Sequence, residues 1–152
     1  MKGIAGIICC PATVDNILKQ MVIPQDTFII SNETELNCTM TVYEQLVEWS
    51  IKLSTKLNSD NLQGLIEFAG LKEKIDFPIS KIAIVDQRKL LFLKAMLSCS
   101  HNIILNNFFE DLNILEAAAI KPLLVEVSTY AMIFLIGSSD IGFDLCDWII
   151  HL

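Results

Sequence analysis

The side chains able to do chemistry are few, and their spacing serves no familiar reaction. Five cysteines occur, Cys9, Cys10, Cys38, Cys99 and Cys146, with no C-x-x-C pair among them. The two histidines, His101 and His151, stand far apart in sequence, so no zinc-type ligand set forms. Adjacent thiols such as Cys9-Cys10 close only into strained bridges. We therefore read the cysteines as mostly buried thiols, small core hydrophobes of a reducing compartment. Ser128, Ser138 and Ser139 lack a neighbouring histidine and acid that would make a nucleophile. Asp140, Asp144 and Asp147 fall along one predicted helix and read as a solvated acidic face. Gln87-Arg88-Lys89 reads as a solvated helix start, and Trp49 and Trp148 as core. The residues alone thus nominate no catalytic group, no cofactor-binding residue and no metal ligand.

Composition narrows the classes further. The chain has 152 residues, 53% hydrophobic and 19% charged, with 11 Lys+Arg against 18 Asp+Glu and a net charge of −7. That length suits one domain, 1–152, able to bury about two-thirds of its unfolded surface. The mean hydropathy of +0.51 excludes a disordered or collagen-like chain and predicts more exposed apolar surface than a self-contained monomer carries. The acidic balance argues against nucleic acid and against an anionic membrane surface. GIAGIICC at 3–10 is short for a signal peptide and lacks a basic flank. LLVEVSTYAMIFLI at 123–136 contains Glu126 and falls short of the roughly 18–20 apolar residues of a spanning helix. No direct membrane insertion is expected, and the compartment is read as the cytoplasm.

Apolar runs at 3–9, 27–31, 103–105 and 131–136 predict buried strands, with a last one opening at Ile149-Ile150. Pro11 to Asn16 is read as a break, followed by a short helix over 14–21. Thr41-Val42-Tyr43-Glu44 has the form of a capping box, opening a helix that carries Val42, Leu46, Trp49 and Leu53 on one side. Further helices are expected over 60–75, 87–97, 112–119 (continued by 123–128 after a kink at Pro122) and 141–148. Strands that are apolar throughout and alternate with helices imply an α/β fold, its mostly parallel sheet flanked by helices.

The order of these segments resembles the nucleotide-binding domain of ATP-binding cassette (ABC) transporters along almost the whole chain. KGIAGII at 2–8 resembles the strand entering the family's phosphate loop. VIPQDTFIISN at 22–32 looks like the segment after the first helix, and TVYEQL at 41–46 like the opening of the helical subdomain. QRKLLFLKAML at 87–97 resembles the helix after the LSGGQ signature. IILNNFFEDLN at 103–113 resembles the Walker B strand and D-loop, and GSSDIGFDLCDWIIHL at 137–152 the switch-histidine end and closing elements. The resemblance implies a reduced P-loop NTPase core, with a short helical subdomain at about 41–80.

Each chemical motif departs from the family's. A phosphate loop presents backbone N–H groups from glycines, a Lys for the phosphates and a Ser/Thr for Mg²⁺. No glycine occurs between Gly6 and Gly64 and no Lys or Arg between Lys2 and Lys19, so CCPATVDN restores the loop in no register. Asn106 and Asn107 fall where the family has its Mg²⁺-binding Asp and catalytic Glu, and an amide cannot accept a proton from an attacking water. Glu110 and Asp111 lie too far along to replace them. Ala83-Ile84-Val85-Asp86-Gln87 keeps only the final Gln of the signature, and Ser139 takes the switch-histidine position. A Gln-loop is not identifiable between Ser31 and Thr41, and the antiparallel strands that precede the family's phosphate loop are not found.

The expected function is that of a catalytically inactive ABC ATPase-like protein, not an enzyme, working by protein–protein interaction. It would serve as an accessory subunit of a transporter, or as a homodimer or larger homo-oligomeric scaffold. Its partners would be an ABC transporter permease or an active ABC ATPase subunit, placing it at the membrane periphery. One alternative is a regulator that keeps residual nucleotide binding without hydrolysis. Another is an unrelated small α/β enzyme or thiol protein.

Overall fold

A computed structural model describes residues 3–55 and 57–152, which form two compact units. The first contains residues 1–33 and 100–152, the second residues 34–99.

The first unit is built on a five-stranded sheet of β1 (Gly3–Ile8), β2 (Thr27–Ser31), β3 (Asn102–Asn106), β4 (Met132–Gly137) and β5 (Trp148–His151). The strand order is β2-β3-β4-β1-β5, and each pairing is parallel. β3 and β4 are buried nearly throughout because Ile103, Ile104, Leu105, Ile133 and Leu135 have no polar alternation to offer solvent. Helix α1 (Pro11–Gln20) lies over one face, where Cys9 and Val14 pack with Ile104 and Ile136. It begins at Pro11, within the stretch read from sequence as a break, because a proline φ suits the first helical position.

Helix α5 (Ile114–Ser128) packs against β4 with Pro122 inside it, joining the two segments expected on either side of that proline. Pro122 removes a donor from the ladder, but Ala118, four residues earlier, is exposed and can give its carbonyl to water. Asn113 caps α5 through a reciprocal box with Glu116, 2.9 Å in each direction. The helix expected over 141–148 is absent. Gly142 takes a φ of 87°, only the turn Phe143–Leu145 is helical, and β5 follows directly. β5 is an edge strand exposed on both faces, so Trp148 is 45% exposed rather than core.

The second unit is helical: α2 (Val42–Lys52), α3 (Ser59–Phe68) and α4 (Ile84–Leu97). The Thr41/Glu44 box opens α2 as its sequence predicts, with bonds of 2.9 and 3.2 Å. α3 stops at Phe68 instead of running to residue 75, since Gly70 adopts a left-handed φ of 71°. Buried Leu90, Leu91, Phe92 and Leu93 make α4 apolar on all sides. Trp49 is core, with Lys94 Nζ 5.1 Å from its ring centre. The start of α4 is not the solvated stretch expected: Arg88 is buried, and Asp86 is buried between Lys74 and Lys89.

Candidate functional site

In a parallel α/β sheet, ligands sit beyond the carboxyl ends of the strands, where loops leave for the helices. Here those ends are Ile8, Ser31, Asn106 and Gly137. The connection from β1 to α1 is only Cys9-Cys10. Cys9 donates its N–H to the Gly137 carbonyl at 3.0 Å, and Cys10 accepts from the Thr13 N–H at 2.9 Å. Cys10 Sγ and Thr13 Oγ1 lie 2.6 Å apart. The chain thus passes from strand to helix with its first backbone groups already engaged.

Asn106 ends β3 in register with Ser31 and Ile136, on the sheet face that α1 covers. Its Oδ1 is buried without a hydrogen-bond partner among the described residues. Asn107 leaves the strand at a φ of 50° and gives its N–H to the Ile136 carbonyl at 2.7 Å. The turn then folds back, with the Glu110 N–H on the Asn107 carbonyl at 3.1 Å. Glu110 therefore lines the same cleft as Asn107 and Ser139, nearer than its place in the sequence suggested. Asn32 Nδ2 donates to its carboxylate at 3.2 Å. Phe109 and Phe143 also line that cleft, whose volume is about 20 Å³, room for one water. Ser139 Oγ accepts the Ile141 N–H at 3.2 Å and holds the turn that follows β4.

The remaining candidates lie elsewhere. Gln87 donates from Nε2 to the Ile79 and Ile82 carbonyls at 3.3 Å, which fixes the turn before α4. His101 pairs with Asp26 where β2 and β3 begin. Cys10, Cys38 and Cys99 are exposed, correcting the expectation of mostly buried thiols. Burial and the nearby Asp147 and Asp144 push the Cys146 thiol up to about 11, and burial raises Cys9 as well. Asp147 serves structure: its carboxylate accepts the Ile4 N–H at 2.9 Å. Among the described residues no group of three or more His, Cys, Asp or Glu could hold a metal ion.

This topology defines the fold as that of the ABC ATPases, a P-loop NTPase-like core. It is similar to CbiO1 of Clostridium perfringens, part of the ABC transporter complex CbiONQ, with a TM-score of 0.77 and 14% identity over 98% of this chain and 72% of that one. It is equally similar to MJ1267, an ATP-binding cassette of an ABC transporter in its ADP conformation, at 12% identity over 99% and 76% of the two chains, TM-score 0.77. A nucleotide-free ATP-binding cassette from an ABC transporter aligns with a TM-score of 0.72 and 14% identity, over 99% and 76%. No protein-family model and no curated protein matches the sequence. Among the described residues, no helix is long and apolar enough to cross a membrane.

Proposed function

We propose that this chain is an ABC ATPase-like subunit that acts by binding and does not hydrolyse ATP. The observation that carries this reading is the two-residue connection between Ile8 and Pro11. A phosphate cradle needs a wide loop of free N–H groups and a lysine, and Cys9-Cys10 supplies neither. Charge supports the same reading. Residues 1–33 and 100–152 hold three Lys and ten Asp or Glu, a net −7, while residues 34–99 balance eight cations with eight acids. A triphosphate would approach a unit of its own sign. The partner would be a transporter permease or an active cassette subunit, with the protein held in the cytoplasm at the membrane surface through that partner.

The experiment is titration calorimetry with Mg·ATP and with ADP, together with phosphate release by purified protein. The reading expects no binding at micromolar nucleotide and no release above buffer. Turnover that disappears in a Glu110→Gln variant would overturn it. The second reading is a regulator that holds nucleotide without cleaving it. Micromolar binding without phosphate release would select that reading.

A further inference from the structure

Helix α5 carries apolar residues on its outer side as well as on the side it buries. Ala117, Ile120, Leu124 and Val127 are buried beneath it. On its outer side Ile114 is 72% exposed and Leu115 82%, followed by exposed Ala118 and Ala119, then Val125 at 49%. Steps of three, four and seven residues join Leu115, Ala118, Ala119, Pro122 and Val125 into one stripe, which also takes in exposed Glu126. Over its 15 residues the helix is about 22 Å long. At the amino end of the stripe a groove of about 250 Å³ separates α5 from the loop 140–144. Ile114, Ala117 and Ile141 give it an apolar floor, and Asp140, Asp144 and Lys121 its walls. Lys121 is spent on Asp144 at 2.6 Å, while Asp140 has no ion-pair partner among the described residues.

The surrounding charge selects what covers this face. The unit that contains α5 carries the net −7 described above, so a second copy would meet its own sign. An anionic membrane is disfavoured for the same reason. We infer that the outer face of α5 and the adjoining groove dock a cationic amphipathic helix of another polypeptide. Its apolar side lies along Leu115, Ala118, Ala119 and Val125, and Lys or Arg residues bordering that side meet Asp140 and Glu126. The two alanines allow helix axes to approach to about 8 Å. This inference does not depend on whether the protein cleaves ATP, so the two readings fail separately.

The test is fluorescence anisotropy with labelled synthetic peptides of about 18 residues, long enough to be helical. One peptide carries a Leu stripe bordered by Lys, a second replaces Lys with Glu in the same pattern, and a third scrambles the Leu/Lys order. The protein is used unaltered, as Leu115→Lys/Val125→Lys, and as Val22→Lys, a control at a position 97% exposed. The expected result is micromolar binding of the patterned cationic peptide alone. It weakens about tenfold or more in the double variant and is unchanged in the control. Equal binding of the Glu or scrambled peptide, no binding at all, or undiminished binding by the double variant would each overturn the proposal. So would sedimentation of the unaltered protein as a dimer that the double variant disperses. Circular dichroism checks the fold, and Leu115→Gln repeats the comparison should the double variant unfold.

Discussion

The ring of Phe143 lies against Gly6 so closely that a Cβ at position 6 would come within 2.6 Å of its Cδ1. The same Cβ would stand 2.8 Å from Cys146 Sγ. Gly6, inside β1, is thus the space into which the chain after β4 folds back. Gly6→Ala is expected to lower stability by about 1–3 kcal/mol, the usual cost of overpacking a filled site. Urea unfolding measures this. A Phe143→Leu change in the same background should recover part of the loss, and failure to recover any would show that the ring is not the obstacle.

Asp86 is buried between Lys74 and Lys89, with only 5% of its side chain exposed. Removing one member of a buried ionic set leaves the others without compensation. Asp86→Ala should therefore cost about 1–3 kcal/mol, because Lys74 is 40% exposed and can turn to water. Asp86→Asn keeps the shape and should cost less. A denaturation midpoint for Asp86→Ala within error of the unaltered protein would contradict this.

Asp26 accepts hydrogen bonds from the His101 ring and from the His101 N–H, and these hold its carboxyl below the ordinary carboxylate range. A depressed folded-state value means stability that is fully present above the unfolded value and lost as the pH falls through the folded one. The contribution should be intact at pH 6 and should fade below about pH 4. His101→Ala should narrow the gap in thermal midpoint between those two conditions. An unchanged gap would show that the pair is decorative.

Restoring acids at the end of β3 tests the proposed loss of catalysis directly. Asn106→Asp/Asn107→Glu should release no more phosphate from ATP than the unaltered protein, because the Cys9-Cys10 connection still cradles nothing. Asn106→Leu should leave stability unchanged or slightly raised, since its Oδ1 is buried without a partner among the described residues. A clear loss of stability would mean that the amide has a partner after all.

Brief alkylation at neutral pH followed by mass spectrometry should modify Cys10, Cys38 and Cys99, which are exposed. Cys9 and Cys146 should resist, because burial holds both as thiols. Rapid labelling of Cys146 would show that the turn above Gly6 opens readily.

The strands and the capped start of α2 were legible in the residues because both are local signals. An apolar run such as MIFLIG has only one stable home, and Thr41 and Glu44 can satisfy two helix donors without help from distant chain. Helix limits were less legible. Pro11 and Pro122 look like breaks in sequence, yet one sits where no donor is needed and the other where water can reach the freed carbonyl. The paired asparagines of IILNNFFEDLN could be placed at a strand end. Nothing in their order shows that Glu110 folds back beside Asn107 or that Phe143 closes over Gly6. Those contacts join residues that are remote or turned by a single left-handed backbone position, and packing alone decides them. The charge balance lay in the sequence from the start. Only the tertiary structure gathered all seven net negative charges into one unit and left α5 bare beside them, because burial and charge position belong to the folded surface and not to residue order.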